Sequence, residues 1–346
     1  IRTKVLVENT DFAFAMIREM ISRTKLDDDK RLHEILSQVK SRLHMYLTSS
    51  GHSAAAIRAM SKFSKSAKMN DRMSGVAFFQ TIDALEKNFD EQKEVLKKNL
   101  RAVMEYVLRP ENMMVSCTSK NDGLEAVKRE IPALTAALYT EILPEYEAEQ
   151  QAAPNPVWKE GIKIPSAVQY VARAGHIGYY TGAYRILKVI LSYDYLWIQV
   201  RVKGGAYGCM SGFKRSGESF FVYYRDPHLR RTLEIYEGVP EYVRTFAADE
   251  REMTKYIIGT ISGKDVPRTP QTQGALGRMA YFRGLTVEML QKERDQILNA
   301  TVEDIHALAP LIQAVLSDDQ LCVVGSENAI EKAKDVFMET KPLVSC

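Results

Sequence analysis

The order of helical and extended patterns is the feature that most constrains the fold of this chain. In the first 150 residues apolar side chains recur at helical spacing, most clearly along the stripe from Leu32 to Leu47. After residue 165 several short runs alternate with a period of two, as Val168, Tyr170 and Ala172 do. This order predicts an α+β fold in which helices pack on one face of a mostly antiparallel sheet.

A polar stretch, Gln150–Pro156, separates these two parts. It contains two prolines and follows a run rich in glutamate, a composition that is typical of a linker. We therefore predict a helix-rich domain over residues 1–150, a linker over 151–164 and a second domain over 165–346.

The first part has two strand-like segments, Lys4–Glu8 and Met113–Thr118. Because two strands rarely form a stable sheet alone, we expect the other strands of this domain to lie upstream of Ile1, so that the first domain is truncated at its N-terminus. Both parts close with a short apolar strand, a turn and an amphipathic helix, which runs from Leu124 to Leu138 in the first part and from Ile330 to Phe337 in the second. This repeated order predicts a duplicated domain.

The second part is richer in strands, which are separated or followed by helical patterns. The predicted strands are Ala167–Arg173, Tyr195–Arg201, Cys209–Phe213, Ser219–Tyr224 and Gln320–Ser326.

Charge and cysteine content narrow the class of partner and compartment. The chain has 47 basic and 44 acidic residues, a formal net charge of +3, which does not favour nucleic acid or an anionic membrane as a partner. No apolar run reaches the roughly 20 residues that span a bilayer. The four cysteines lack paired spacing, which favours a reducing compartment. We expect the bacterial cytoplasm, or an organelle if a transit sequence precedes the chain.

The segment Arg201–Gly208 is the strongest candidate for a functional site. It places one guanidinium and one phenol six residues apart, on either side of Gly204 and Gly205. Glycine tolerates positive φ and lets the backbone approach a ligand closely, so we interpret the pair as a hinge. The alternative interpretation is that Arg201 caps a surface strand and Tyr207 is an ordinary strand residue. A phosphate loop is disfavoured, because no GxxxxGK[ST] pattern follows.

The histidines do not form a recognisable metal motif. Neither HxxEH nor HExxH occurs, and a catalytic zinc needs about three protein ligands with an open position. We therefore predict no metal site and no cofactor site in this chain, and interpret His52 and His176 as structural residues. The histidines are His33, His44, His52, His176, His228 and His306.

Three segments, Arg201–Gly208, Ser49–Ser53 and Arg268–Gly274, resemble the presequence-protease branch of the pitrilysin and insulinase metallopeptidases, which are inverzincins. The resemblance is to the C-terminal half of such an enzyme. It implies two homologous pitrilysin-type domains, and a separate N-terminal half that binds zinc through an inverted HxxEH motif. It also implies that the two halves close over unstructured peptides, and that the C-terminal half contributes an arginine and a tyrosine, here Arg201 and Tyr207.

Two functions follow from this resemblance. The chain is expected to be the C-terminal half of a zinc metalloendopeptidase that degrades short unstructured peptides, inactive without its metal-binding half. The alternative is a non-catalytic structural or peptide-binding subunit of the same fold. The presence of both Arg201 and Tyr207 favours the first, because a purely structural copy has no physical need for that pair.

Overall fold

The computed structural model describes residues 1–141 and 159–344, and these residues form α-helices and one mixed sheet. The helices are α1 (Thr10–Arg23), α2 (Asp29–Ser49), α3 (Gly51–Met60), α4 (Lys65–Ser74), α5 (Val76–Lys87), α6 (Phe89–Val107), α7 (Asn121–Ala136), α8 (Ala183–Ile190), α9 (Leu229–Glu237), α10 (Val239–Arg244), α11 (Glu250–Ser262), α12 (Pro270–Arg283), α13 (Val287–Leu298), α14 (Val302–His306), α15 (Ala309–Ser317) and α16 (Glu327–Lys332). The strands are β1 (Lys159–Ile164), β2 (Gln169–His176), β3 (Gly208–Phe213), β4 (Glu218–Tyr224), β5 (Gln320–Ser326) and β6 (Glu339–Pro342). The predicted α+β class is confirmed.

The six strands form one sheet in the order β3-β4-β2-β5-β1-β6. The neighbours from β3 to β5 are antiparallel, whereas β1 runs parallel to both β5 and β6. At the centre of the sheet, Ala172 of β2 lies opposite Val222 of β4 and Cys322 of β5. Most of the pairings are therefore antiparallel, as the sequence predicts.

Both faces of the sheet are buried. Val171 and Val323 belong to one apolar core, which α8, α10 and α15 share, while Ala172 and Cys322 belong to a second core on the opposite face. Helix α3 contacts β2, β4 and β5 and contributes Ala55 and Ala59 to this second core. Helices therefore cover both faces of the sheet, whereas the sequence predicts helices on one face. Strands such as β5 are apolar on both faces and need cover on both.

The chain divides into two compact units. Among the described residues, one comprises 1–37, 85–141 and 267–286, and the other comprises 38–84, 159–266 and 287–344. The second unit contains the whole sheet together with α3, and so the units do not follow the predicted boundary at residue 150. Helix α3 is part of the second unit because it packs against strands that are far from it in the chain.

Three predictions about extended segments are wrong. Residues 159–164, assigned to the linker, form β1, in which Ile162 and Ile164 are buried. The rest of the predicted linker, 151–158, lies outside the described residues. The segment Lys4–Glu8 is irregular and ends in the 3₁₀ turn Val7–Asn9, and Met113–Thr118 is irregular as well.

The predicted strand Tyr195–Arg201 is helical instead. Helix α8 continues into two π-helical segments, Leu191–Tyr195 and Trp197–Val202. Aromatic and β-branched residues give this run a high strand propensity, but propensity is a weak constraint. Leu191, Leu196 and Val200 are buried at intervals of five and four residues, which a widened helix satisfies.

Candidate functional site

The candidate site lies where the helix that follows α8 ends and β3 begins. We call residues Trp197–Gly208 the corner. Val200 and Ala206 are buried in the first core of the sheet, whereas Arg201 and Tyr207 are exposed. The backbone of the corner is therefore anchored by apolar packing, and the two predicted functional side chains are open to solvent.

Gly204 and Gly205 terminate the helix at the corner. The Gly205 N–H donates to the Arg201 carbonyl oxygen at 3.1 Å, and the Ala206 N–H donates to the Val200 carbonyl oxygen at 3.1 Å. Gly205 has φ +75°, and a Cβ on Gly204 would lie 2.5 Å from the Val200 carbonyl oxygen. Left-handed residues of this kind commonly end helices. The geometry thus accounts for both glycines, and their action as a hinge stays a prediction.

Arg201 is held by an aromatic ring of its own helix. Its guanidinium carbon lies 4.1 Å from the centroid of the Trp197 ring, one helical turn earlier, a cation–π contact that covers one face of the guanidinium. None of the ion pairs within residues 1–141 and 159–344 involves Arg201. Its charge is therefore not neutralised by a carboxylate in this part of the chain.

Tyr207 is fixed at its backbone, and its ring is exposed. Its N–H donates to the Tyr224 carbonyl oxygen at 3.1 Å, and the residue that follows it, Gly208, pairs with Tyr224 in the sheet. Its side chain nevertheless remains largely in solvent, with the residue 64% exposed. The structure thus carries both predicted residues, Arg201 and Tyr207, on one short and well-anchored segment.

A third residue at this place, Arg225, was not singled out by the sequence. It follows β4 directly, and its guanidinium carbon lies 5.8 Å from the Tyr207 ring centroid and 5.3 Å from that of Tyr224. Its backbone is left-handed, with φ 55°. A lone arginine before an Asp-Pro turn carries no recognisable signal in the sequence, because only the pairing of β3 with β4 brings it close to Tyr207.

A nearby thiol can be set aside as a nucleophile. Burial, only partly offset by the charge of Arg201, raises the pKa of Cys209 to about 11. The thiolate is the reactive form of cysteine, and at neutral pH this side chain is a thiol. Cys209 therefore packs as a small apolar residue beside the corner.

The described residues do not fit a zinc site. Within residues 1–141 and 159–344, no three His, Cys, Asp or Glu side chains lie close enough together to hold a metal ion. His52 packs edge-on against Tyr224, with ring centroids 5.0 Å apart, and burial lowers its pKa. The backbone N–H of His176 donates to the Asp318 carboxylate at 2.7 Å. Both contacts are consistent with the structural roles predicted for these histidines.

None of the helices in the described part of the chain is both long enough and apolar enough to cross a membrane.

Two family models match different parts of the chain. The family model described as PreP C-terminal domain matches residues 159–327, and the model described as Peptidase M16C associated matches residues 1–85. Together these matches and the relatives described below show that the chain belongs to the M16 peptidase family. Within that family it corresponds to the C-terminal part of a presequence-protease-type member, as the motifs of the corner predict.

Two curated relatives align with almost the whole chain. Protein HypA of Clostridium perfringens is 36% identical over 99% of this chain, and Presequence protease 1 of Arabidopsis thaliana is 30% identical over 99% of it. The alignments cover 35% and 32% of those proteins. The chain thus spans about a third of the length of these relatives.

Solved structures support the fold. A peptidase M16 inactive domain from Pseudomonas fluorescens matches with a TM-score of 0.58 at 16% identity, over 93% of this chain and 76% of that one. Pitrilysin matches with a TM-score of 0.56 at 14% identity, over 91% of this chain and 33% of that one. At these identities the likeness establishes the architecture and says nothing of activity.

Proposed function

We propose that this chain is the substrate-contacting C-terminal part of a zinc metalloendopeptidase, supplying Arg201 and Tyr207 to an unstructured peptide. One observation carries the proposal. The corner fixes the backbone of both residues while leaving a guanidinium and a phenol exposed. The names of the aligned relatives, several of which are presequence proteases, support a peptide as the substrate.

The two side chains suit the main chain of a peptide. An unfolded peptide presents carbonyl oxygens without internal hydrogen-bond partners, and both arginine and tyrosine are donors. The planar guanidinium of Arg201, held against Trp197, can bind and orient a carbonyl group beside the scissile bond. This contact would fix the register of the peptide at the corner.

Tyr207 is the proposed donor to the reacting carbonyl. Negative charge develops on that oxygen during hydrolysis, and a fixed donor aimed at it typically lowers the barrier by about 2.7–4 kcal/mol. The phenol is suited to this task because the Tyr207 backbone is held in the sheet pairing with Tyr224. The hydroxyl would therefore donate a stronger hydrogen bond to the charged oxygen of the transition state than to the neutral carbonyl oxygen of the bound substrate.

The metal and the nucleophilic water belong to another part of the proposed enzyme. The family resemblance implies zinc in an N-terminal half, and the described residues of this chain do not assemble a zinc site. The proposed partner is therefore that metal-binding half, and the chain alone is expected to be inactive. Because the donors would come from opposite the metal, catalysis would require closure of the two halves.

A peptidase assay tests the proposal. This chain, the metal-binding half and a mixture of the two are each given a short unstructured fluorogenic peptide, and activity is expected only in the mixture. Tyr207→Phe is expected to lower kcat at least tenfold, in line with loss of one oxyanion donor. Tyr193→Phe is the matched control, since Tyr193 is also an exposed tyrosine, 69% accessible, on the helix that leads into the corner.

The outcomes separate the two functions. Activity in the mixture that is lost with Tyr207→Phe but kept with Tyr193→Phe supports the proposal. If mixing gives no gain although peptide binding by this chain is measurable, the alternative applies, namely a non-catalytic binding or structural subunit of the same fold.

We also propose a reducing compartment, the bacterial cytoplasm, for this protein. Cys117, Cys209 and Cys322 form no disulfide with one another, and one aligned relative comes from the bacterium Clostridium perfringens. Cell fractionation with an antibody to the chain tests the assignment, and recovery in an exported or organellar fraction would contradict it.

A further inference from the structure

We propose that Arg225 is a positioning residue that holds the Tyr207 ring in place at the corner. The proposal rests on the function proposed above for Tyr207. It is argued from the strand pairing, the backbone conformation of Arg225 and the contacts of its guanidinium.

The strand pairing brings the two residues together. In the antiparallel pair of β3 and β4, Gly208 lies opposite Tyr224. The Tyr207 N–H also donates to the Tyr224 carbonyl oxygen, at 3.1 Å, so Tyr207 and Gly208 both lie against Tyr224, as in a β-bulge. Because Arg225 follows Tyr224 directly, this end of the strand pair brings its guanidinium within 5.8 Å of the Tyr207 ring centroid.

The backbone of Arg225 is held in a conformation that non-glycine residues seldom adopt. Its φ is 55°, in the left-handed region, where a side chain costs free energy relative to glycine. The neighbouring residue fixes it: the Asp226 N–H donates to the Gln169 carbonyl oxygen at 2.8 Å, and the Gln169 N–H donates to the Asp226 carbonyl oxygen at 3.0 Å. The Asp226 carboxylate also accepts from the His228 N–H at 2.8 Å. Glycine would satisfy this turn at lower cost, so the arginine side chain itself needs an explanation.

The guanidinium provides that explanation. It lies near two rings, 5.8 Å from the centroid of Tyr207 and 5.3 Å from that of Tyr224, and it also interacts with the Tyr170 hydroxyl. That hydroxyl in turn donates to the Thr48 carbonyl oxygen at 2.8 Å, which fixes it to the end of α2. Arg225 therefore connects the exposed Tyr207 ring to groups that are held by the sheet and by α2.

We expect the contact with Arg225 to restrict the rotation of the Tyr207 ring. Tyr207 is 64% exposed, and a tyrosine so placed would exchange among side-chain rotamers unless something restrains it. A cation near the ring favours the rotamer that keeps the two in contact. A phenol held in one orientation can act as a donor without first being ordered, which is the advantage of a prearranged site.

A double-mutant cycle tests the proposal in the mixture of this chain with the metal-binding half. Arg225→Met is expected to lower kcat about tenfold in the Tyr207 protein and less than about twofold in Tyr207→Phe, because without the hydroxyl there is no donor to position. Arg225→Lys is expected to restore part of the loss. A loss of equal size in both backgrounds, or no loss, would overturn the proposal.

A second measurement uses this chain alone. With 3-fluorotyrosine at position 207, Arg225→Met is expected to shift and narrow the ¹⁹F resonance, as the ring gains mobility, whereas Arg230→Met is the matched control and leaves it unchanged. Arg230 is exposed and pairs with Asp335 on another part of the surface. An unchanged resonance in Arg225→Met contradicts the proposal even if the chain is inactive in every mixture. If Tyr207→Phe has no effect on activity but the resonance shifts, the proposed function fails and the ring contact stands.

Discussion

Arginines of the second unit are used in two opposite ways. Arg58 is partly buried and is committed to carboxylates inside the fold, whereas Arg201 and Arg225 lie at the surface beside aromatic rings. The same side-chain chemistry therefore serves packing in one region and is available to a ligand in the other. The comparison indicates where in this molecule function is to be sought.

The buried group is centred on Glu160 of β1, which is fully buried. Arg58 of α3 binds this carboxylate through two nitrogens, at 2.7 and 3.0 Å, and Lys341 of β6 binds it at 2.8 Å. Lys62 lies 3.3 Å from it, and Arg58 also binds Asp71. Burial opposes ionisation, but the hydrogen bonds and charges of these cations outweigh it and hold the pKa of Glu160 well below its usual range. Each charged group here lies beside at least one group of opposite charge, so the cluster fixes α3 against the sheet.

The arginines at and beside the corner lack such charge pairing. Among the ion pairs that residues 1–141 and 159–344 form, none includes Arg201 or Arg225. Arg225, which adjoins the corner, also costs free energy, because its backbone is left-handed at φ 55° although it carries a side chain. A surface segment that keeps strained backbone and unneutralised cations is more typical of a functional site than of a stabilising one.

The largest effect is expected from Glu160→Gln. The amide keeps the shape of the side chain but leaves Arg58, Lys62 and Lys341 without their shared carboxylate, so the free energy of unfolding should fall by about 3–5 kcal/mol. Urea denaturation of the chain measures it. The control is Glu241→Gln, since Glu241 pairs with Arg244 at the surface, with both side chains about 60% exposed, and should cost less than about 1 kcal/mol. Equal losses for the two variants would remove the distinction between the buried cluster and surface pairs.

A smaller effect is expected at the glycines of the corner. Gly205→Ala places a Cβ on a left-handed residue and should lower the free energy of unfolding by about 1–2 kcal/mol. Gly208→Ala is the matched control three residues later, where the nearest atom to a new Cβ is 3.9 Å away. Thermal unfolding of both variants is the measurement. If Gly205→Ala were as stable as Gly208→Ala, the corner would not be held in the conformation described.

The smallest effect on stability is expected from the proposed functional residues. Arg201→Ala and Tyr207→Phe alter exposed groups, and each should change the free energy of unfolding by less than about 0.5 kcal/mol. Urea denaturation beside the peptidase assay separates stability from activity. A loss comparable to that of Glu160→Gln would place these residues in the structural group and would remove the basis for a functional corner.

Much of the second unit follows from local pattern. The strands β2, β3, β4 and β5 were predicted within a few residues, because alternating apolar residues bounded by turns specify a strand. Thr301 is the N-cap of α14, and the side chains of Thr301 and Asp304 each accept a hydrogen bond from the other residue's backbone N–H. These features depend on residues that are near neighbours in the chain.

The sequence by itself determined the α+β class, the glycine-terminated segment of Arg201 and Tyr207, and the absence of an HxxEH motif. Only the tertiary structure decided that residues 195–202 are helical, that 159–164 form a strand, and that α3 covers the second face of the sheet. It also brought Arg225 to Tyr207. The physical reason is range: caps, turns and periodicity act over a few residues, whereas burial and strand pairing join residues that are far apart in the chain.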